Sequence, residues 1–426
     1  MPIFYTCKKC RKNYSKNQYD KRVVCRICGS LLLSQFVIAP EIKDGSNENL
    51  NWTKKSFKKN LQTLPKPKES FFLDRAAHNL NNKIKNRKEY FVFSQKETQK
   101  KPDVKEKEQY LFNCEYEDAL NLKRKLIKQF EKKTLEQAIP GKILSNKHGE
   151  YYSIESISES DFKKINDEKC KKILISDLKL LQRIGPKREF HLKKNGFTTI
   201  EDLIRHPIWK KSAFDFINLL DKKQIGELQS YLWKSLPKSH PYIHYLAGLC
   251  KIEDFAIVDI ETLGLSERPI ILMGIAQIKK NGIYTNQFLL RDIPDEPSAI
   301  WAFVSCLKKE CSLISYNGRS FDIPYVQQRL AYYGLDGPIN NPHFDLLHFS
   351  RRALGSKLNN CRLETVEKYL NIGRGVNVPG ALVPDFYQTY LATGNVGPLV
   401  AIVEHNKQDL VTLATLFSRL YEEWKI

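Results

Sequence analysis

The sequence predicts an α/β chain whose main folded unit lies in its C-terminal part. Three features point there. The apolar runs Phe255 to Val258, Ile270 to Ala276 and Tyr284 to Leu290 read as successive strands of an antiparallel meander, with a turn at Lys280 to Gly282. A helix over Ala299 to Lys308 and a fourth strand, Leu313 to Tyr316, follow, so helix and strand are mixed. Two Cys-x-x-Cys pairs near the start mark a separate small unit. A length of 426 residues suggests two to four units. The boundaries fall at 1–40, 41–110, 111–170, 171–250 and 251–426.

The formal net charge is +21, and it is unevenly placed. Residues 251–426 carry 18 Lys+Arg against 19 Asp+Glu, whereas residues 1–250 carry 51 against 29. A basic N-terminal half points to a polyanionic partner, with nucleic acid as the expectation and a Lys-rich solubilising surface as the alternative. No segment approaches the ~18 apolar residues of a membrane span. Cys7 to Cys10 interrupt any signal-like start. The expectation is a cytoplasmic chain with reduced cysteines and no membrane partner.

In residues 1–40, Cys7 and Cys10 are followed, with 14 residues between the pairs, by Cys25 and Cys28. Each C-x-x-C turn aims two sulfurs at one point, and two such turns complete a tetrahedron for structural Zn²⁺. This is the pattern of a zinc ribbon, with Tyr5, Tyr14, Val23, Val24, Leu31 and Leu33 as its small core. A ribbon can bind nucleic acid or protein. Cys114, Cys170, Cys250, Cys306, Cys311 and Cys361 lack ligand-like spacing and read as small hydrophobes. Residues 41–110, rich in Lys, Asn, Ser, Glu and Gln, read as a basic flexible linker.

In residues 111–170, Leu120, Lys123, Leu126, Ile127 and Phe130 follow a helical period, and Gly149 to Ile154 reads as a strand. In 171–250, a short helix ends at Leu181. Arg183-Ile184-Gly185-Pro186-Lys187-Arg188 then leads into a helix that Pro186 opens and Gly196 closes. Thr198 and Glu201 form a capping-box pattern for the next one. This stretch resembles a helix-hairpin-helix module. The resemblance implies that Gly185, Lys187 and Arg188 meet DNA phosphates through open amides, a helix N-terminus and positive charge. The same module also serves as a packing unit. Arg183 stands where the family usually has its first Gly.

The chemistry concentrates in 251–426. Asp259 and Glu261 lie two apart at the end of a strand and share a face. Asp322 closes the Asn317 to Asp322 strand-to-helix turn. His405 and Asp409 lie four apart at the start of the apolar helix Leu410 to Leu420, on one helical face. Four carboxylates with a His suit two hard cations, Mg²⁺ or Mn²⁺. Two such ions ~4 Å apart can stabilise both the attacking and the leaving oxygen of a phosphodiester.

D-x-E, N-x-x-x-F-D and H-x-x-x-D together resemble the three motifs of the DEDD exonucleases in the ribonuclease H-like superfamily. Asn317 to Asp322, His343 to His348, Asn360 to Leu363 and Val378 to Gly380 resemble the YprB-like predicted exonucleases within it. The resemblance covers residues 251–426. It implies a ribonuclease H-like mixed five-stranded sheet flanked by helices. It also implies a 3′–5′ exonuclease with Asp259, Glu261, Asp322 and Asp409 as metal ligands. His405 would orient or deprotonate the attacking water. The His subgroup usually places four residues before the last Asp, whereas this chain places three, the spacing of the Tyr subgroup. Asn317 can bond substrate or a carboxylate, and Arg319 is a candidate phosphate contact. Asp345 is expected to support the site or close a helix start. DNA is favoured over RNA through the hairpin module. The alternatives are a non-catalytic DNA-binding or repair scaffold on a nuclease fold, and a structure-specific endonuclease.

Overall fold

The computed structural model describes residues 4–6, 13–15, 106–159, 162–375 and 378–424. Near the start, β1 (Phe4–Thr6) pairs antiparallel with β2 (Asn13–Ser15), with Tyr5 opposite Tyr14. The expected zinc ligands Cys7, Cys10, Cys25 and Cys28, and the basic linker as far as residue 105, lie outside the described residues.

From Lys107 onward the chain clusters as a second unit. It holds a seven-stranded sheet in the order β3-β4-β7-β6-β5-β8-β9. The strands are β3 (Lys142–Asn146), β4 (Gly149–Ser158), β5 (Phe255–Thr262), β6 (Ile270–Lys279), β7 (Gly282–Leu289), β8 (Ser312–Ser315) and β9 (His343–Asp345). β5 to β7 form the expected meander, and β8 and β9 run parallel to β5. These are the five strands of the resemblance. Beyond them, β3 and β4 extend the same sheet, which the sequence pattern did not announce. β4 pairs antiparallel with β7 from Tyr152–Leu289 to Ser158–Ile283. Tyr152 and Ile154 are buried, so β4 covers an edge that would otherwise offer unpaired backbone groups.

Helices cover both faces. In chain order they are α1 (Glu106–Gln129), α2 (Asp167–Ile175), α3 (Pro186–Lys194), α4 (Lys210–Asp221), α5 (Ile225–Leu232), α6 (Pro241–Tyr245), α7 (Glu296–Ser305), α8 (Asp322–Tyr333), α9 (Leu346–Leu354), α10 (Leu363–Tyr369), α11 (Val383–Thr393) and α12 (Gly397–Glu423). A single turn, Leu135–Ala138, follows α1. Alternation along β5 splits the core. Phe255 and Ile257 join Phe344, Leu413, Phe417 and the apolar residues of the 170–250 region. Ala256, Val258 and Ile260 join Ile300, Phe303, Val326, Phe386 and Ile402 on the other face. The helical region therefore shares a core with one face of the sheet. Cys170, Cys250, Cys311 and Cys361 are buried and Cys306 half-buried, and none forms a disulfide.

Two details differ from expectation. α12 begins at Gly397, so His405 and Asp409 lie inside the helix rather than at its start. Leu399, Ile402 and Val403 carry the apolar period back to Pro398, which is tolerated in a first turn. The cap after Gly196 uses Thr199 with Asp202, not Thr198 with Glu201. Asp202 accepts from the amides and hydroxyls of both Thr198 and Thr199, and the Thr199 hydroxyl accepts from the Asp202 amide. The shorter acid reaches both residues, and its carboxyl is held below the usual range chiefly by the Thr199 amide.

Candidate active site

β5 delivers the first two acids. Asp259 pairs across the ladder with Gly274, and Glu261 with Leu272. A Cβ at Gly274 would collide with Asn406 Oδ1 and Leu410. Glycine thus lets α12 lie close over β5 and β6, which brings His405 and Asp409 to the face carrying Asp259 and Glu261. His405 Nε2 stands 3.6 Å from Glu261 Oε1 and 3.7 Å from Asp409 Oδ2.

The turn between β8 and α8 delivers Asp322. Its Oδ1 accepts the Ile260 amide at 3.1 Å, tying it to β5 between the first two acids. Gly318 is required here, since a Cβ would strike Ser315 and crowd Asp322. Asn317 sits at φ 65°, a left-handed conformation. Asp345 holds the turn in shape. It accepts from the amides of Asn317 at 2.8 Å and Arg319 at 3.2 Å, and caps α9 by accepting from Leu347 at 3.1 Å. Both roles expected of Asp345 are thus present in one carboxylate. The Arg319 guanidinium lies 4.0 Å over the Trp233 ring.

The acids are crowded, with Glu261 and Asp322 buried and Asp259 and Asp409 half-buried. Burial pushes Asp259 well above the ordinary carboxylate range, and the charges of Asp409, Glu261 and Asp322 push it further. Burial and the charges of Asp409 and Asp322 do the same to Glu261. Asp322 rises to about 7, mainly through burial, against the pull of its backbone hydrogen bonds. Asp409 rises to about 6 through burial, with Arg374 opposing. His405 is pushed down to about 4 by burial and by Arg374.

Three contributors carry little or no signal in the sequence. Arg374 donates to Asp409 Oδ1, to His405 Nδ1 at 3.0 Å, and to both oxygens of buried Glu367 at 2.8 and 3.2 Å. Asn406 donates to Asp259 Oδ2 at 2.7 Å and accepts from Gln287 at 2.8 Å. Gln287 also donates to the Val403 carbonyl at 2.9 Å. Arg374 stands alone in a Gly373-Arg374-Gly375 stretch, with no local spacing to advertise it. Asn406 had one signal, its place beside His405. Gln287 had none.

As they stand, no three His, Cys, Asp or Glu side chains among the described residues surround one point closely enough to hold an ion. The chemistry of the donors nonetheless fits hard divalent cations. Asp259 and Asp322 have no Lys or Arg ion pair among the described residues, Arg374 only partly offsets the rise of Glu261, and neighbouring carboxylates raise all three. Oxygen-rich, uncompensated anionic clusters are what such cations neutralise. Arg374 takes up one oxygen of Asp409 in this arrangement.

Elsewhere, Arg183, Gly185, Lys187 and Arg188 are exposed on the hairpin before and at the start of α3. Arg183 adopts φ 67°, in the left-handed region where the expected glycine would sit. A Cβ at Gly185 would meet nothing within 4 Å. Packing therefore does not demand glycine there, and its bareness leaves the start of α3 open.

Residues 256–421 match the RNase_H_2 family model of the RNase H superfamily, and this segment is an RNase H-like domain of that nuclease superfamily. Over 165 residues the chain is 33% identical to, and homologous with, the uncharacterized protein YprB of Bacillus subtilis (strain 168). That match covers 37% of this chain and 40% of the relative, so the chain spans less than half the length of the curated relative it matches. A structural comparison pairs 39% of the chain with 24% of the family B DNA polymerase from the hyperthermophilic archaeon Pyrobaculum calidifontis, at 15% identity and a TM-score of 0.32. No helix among the described residues is long and apolar enough to cross a membrane.

Proposed function

We propose that the protein is a metal-dependent nuclease that hydrolyses phosphodiester bonds, acting as a 3′–5′ exonuclease on DNA. The observation that carries this reading is the meeting of four acids from three distant stretches. Asp259 and Glu261 come from β5, Asp322 from the start of α8 and Asp409 from α12. A structural role would not gather buried like charges without cations, because each raises the cost of the others. Asp259, Glu261, Asp322 and Asp409 would hold two Mg²⁺ or Mn²⁺ ions. When bound, such ions offset the charge that develops on a phosphoryl group and its leaving oxygen. The protein's own part is to fix the acids. Asn406 orients Asp259, the Ile260 amide orients Asp322, and His405 faces Glu261 and Asp409 from the helix side. In the reaction, water oxygen bonds to phosphorus, the P–O3′ bond breaks, and the leaving 3′ oxygen ends with a proton. The polarity follows from the motif resemblance.

The grip is assigned to the basic N-terminal half, because residues 251–426 carry no basic excess. In this reading the zinc ribbon expected from Cys7, Cys10, Cys25 and Cys28, and the exposed hairpin at Gly185, Lys187 and Arg188, would serve this holding function. Arg319 and Asn317 flank Asp322 on the substrate side of the same turn in this reading. The test uses end-labelled single-stranded, duplex, branched and circular DNA, and matching RNA, with Mg²⁺ or Mn²⁺. Mononucleotide release from 3′ ends is expected. Internal cuts in the circle would replace the exonuclease with an endonuclease, and no cleavage of any substrate would leave a binding scaffold. Asp259→Asn should lose more than the ~10–100-fold typical of removing a ligand's supporting partner, while DNA binding is kept. Parent-rate cleavage by that variant would refute the site.

A further inference from the structure

The tautomer of one ring can be read from its neighbours. Arg374 Nη1 lies 3.0 Å from His405 Nδ1. A guanidinium has donors only, so Nδ1 must be the acceptor in this bond. A neutral imidazole with Nδ1 bare carries its proton on Nε2. Nε2 lies 3.6 Å from Glu261 Oε1 and 3.7 Å from Asp409 Oδ2, too far for a hydrogen bond to either, so it is the bond at Nδ1 that fixes the tautomer. Arg374 is not a loose surface arginine. Glu367 grips it with two hydrogen bonds, is itself buried, and accepts from the Thr412 hydroxyl at 2.6 Å.

We infer that His405 acts as a hydrogen-bond donor through Nε2 rather than as a proton acceptor, and that Arg374, braced by Glu367, is the positioning residue that fixes this tautomer. The inference rests on the phosphodiester-hydrolysis reading for its reactive context, while the tautomer itself is a property of the protein alone. A ring with its proton on Nε2 has no lone pair there to take a proton from water on the acid side. It offers Nε2–H instead to an oxygen of the attacking water or of the substrate phosphate. Accepting a proton at Nδ1 would require Arg374 to leave. This gives the three-residue H-x-x-x-D spacing a physical sense. At the position filled by tyrosine in the Tyr subgroup stands a histidine held in a donating form.

The test is nitrogen NMR on metal-free protein with ¹⁵N-labelled histidine rings, His405 being identified among the nine histidines by its loss in His405→Asn. The expected result is protonated Nε2 and bare, hydrogen-bonded Nδ1. A wild-type ring protonated at Nδ1 overturns the inference. In Arg374→Met the Nδ1 resonance should move and an Nδ1–H population appear, whereas Arg374→Lys, which keeps a donor, should hold the wild-type pattern. Unmoved ring resonances in Arg374→Met would remove Arg374 from the role. In turnover assays His405→Gln, which can donate but cannot act as a base, should stay within about tenfold of the parent, whereas His405→Ala falls about a hundredfold. Equal losses in the two variants refute donation. Because the NMR needs no substrate, absent cleavage with the expected tautomer would sink the nuclease reading while leaving the Arg374–His405 arrangement standing.

Discussion

At the scale of single residues, the acids of the site store a penalty that depends on pH. Asp322 and Asp409 rise in the fold to about 7 and about 6 from an ordinary value of 3.8, and Asp259 and Glu261 are raised as well. Between the unfolded and folded values the native protein therefore binds more protons than the unfolded chain. The acids' contribution to stability falls as pH climbs through this window, while His244, His343 and His405, pushed down by burial, contribute in the opposite sense. Against that histidine background, the acids should cost the metal-free protein stability at pH 8 that they do not cost at pH 5, as read by calorimetry of the parent beside Asp259→Asn. Mg²⁺ or Mn²⁺ should recover most of the loss at pH 8. Asp259→Asn should raise the metal-free melting temperature, and more at pH 8 than at pH 5, with each ~1 kcal/mol relieved worth roughly 2–4 °C. A gain in Asp259→Asn that does not grow from pH 5 to pH 8 would contradict the crowding of these acids. The acids were legible in the sequence because each sits at an element boundary or in an i, i+2 or i, i+4 spacing. Arg374 and Asn406 were not, because their roles exist only through partners more than 30 residues away.

Among the elements, α12, β6 and β7 set the precision of the site through Asn406, Gly274 and Gln287. Gln287 and Asn406 are buried, and the chain from them to half-buried Asp259 has one direction of donation. Removing it leaves Asp259 free to turn. Asn406→Leu should weaken Mg²⁺ or Mn²⁺ binding by about 10–100-fold with the fold retained, measured by titration calorimetry on the intact chain. Gln287→Leu should do the same to a lesser degree, since Asn406 keeps its bond to Asp259. Parent metal affinity in Asn406→Leu would show that Asp259 needs no such partner. The turn held by Asp345 is a second dependency. Asp345→Ala leaves the Asn317, Arg319 and Leu347 amides without their acceptor, at a cost of about 3 kcal/mol or more, read from denaturant unfolding. The meander β5 to β7 was legible from its apolar runs and turns. The joining of β4 to β7 was not, since alternation in a strand names a buried face but not the neighbour that it pairs with.

For the whole molecule, cutting and holding are expected to separate along the chain. Residues 1–110 carry 25 Lys+Arg against 11 Asp+Glu. Deleting them should weaken DNA binding and lower the slope of log affinity against log salt, by about 0.7–0.9 for each phosphate that is no longer neutralised. Basal cleavage of short substrates at saturating concentration should persist. An unchanged salt slope would mean that the positive charge of this stretch never meets the backbone. The charge map was legible from composition alone, whereas the shared core of the 170–250 helices and the sheet needed coordinates.

The pairing of β4 with β7 also sets a schedule for synthesis. Ser153 and its partner Asn286 are separated by 133 residues. At ~5–20 residues per second, roughly 7–27 s pass between the appearance of one strand and the other. During that interval the β3–β4 hairpin, with Ile143 and Leu144 exposed even in the finished fold, has no sheet to join. The helices of 162–250 emerge in between and can pack locally first, because their contacts are short in sequence. The ribosome-bound chain thus passes through a stage with an open strand edge, and slow translation of residues 251–289 would lengthen that exposure.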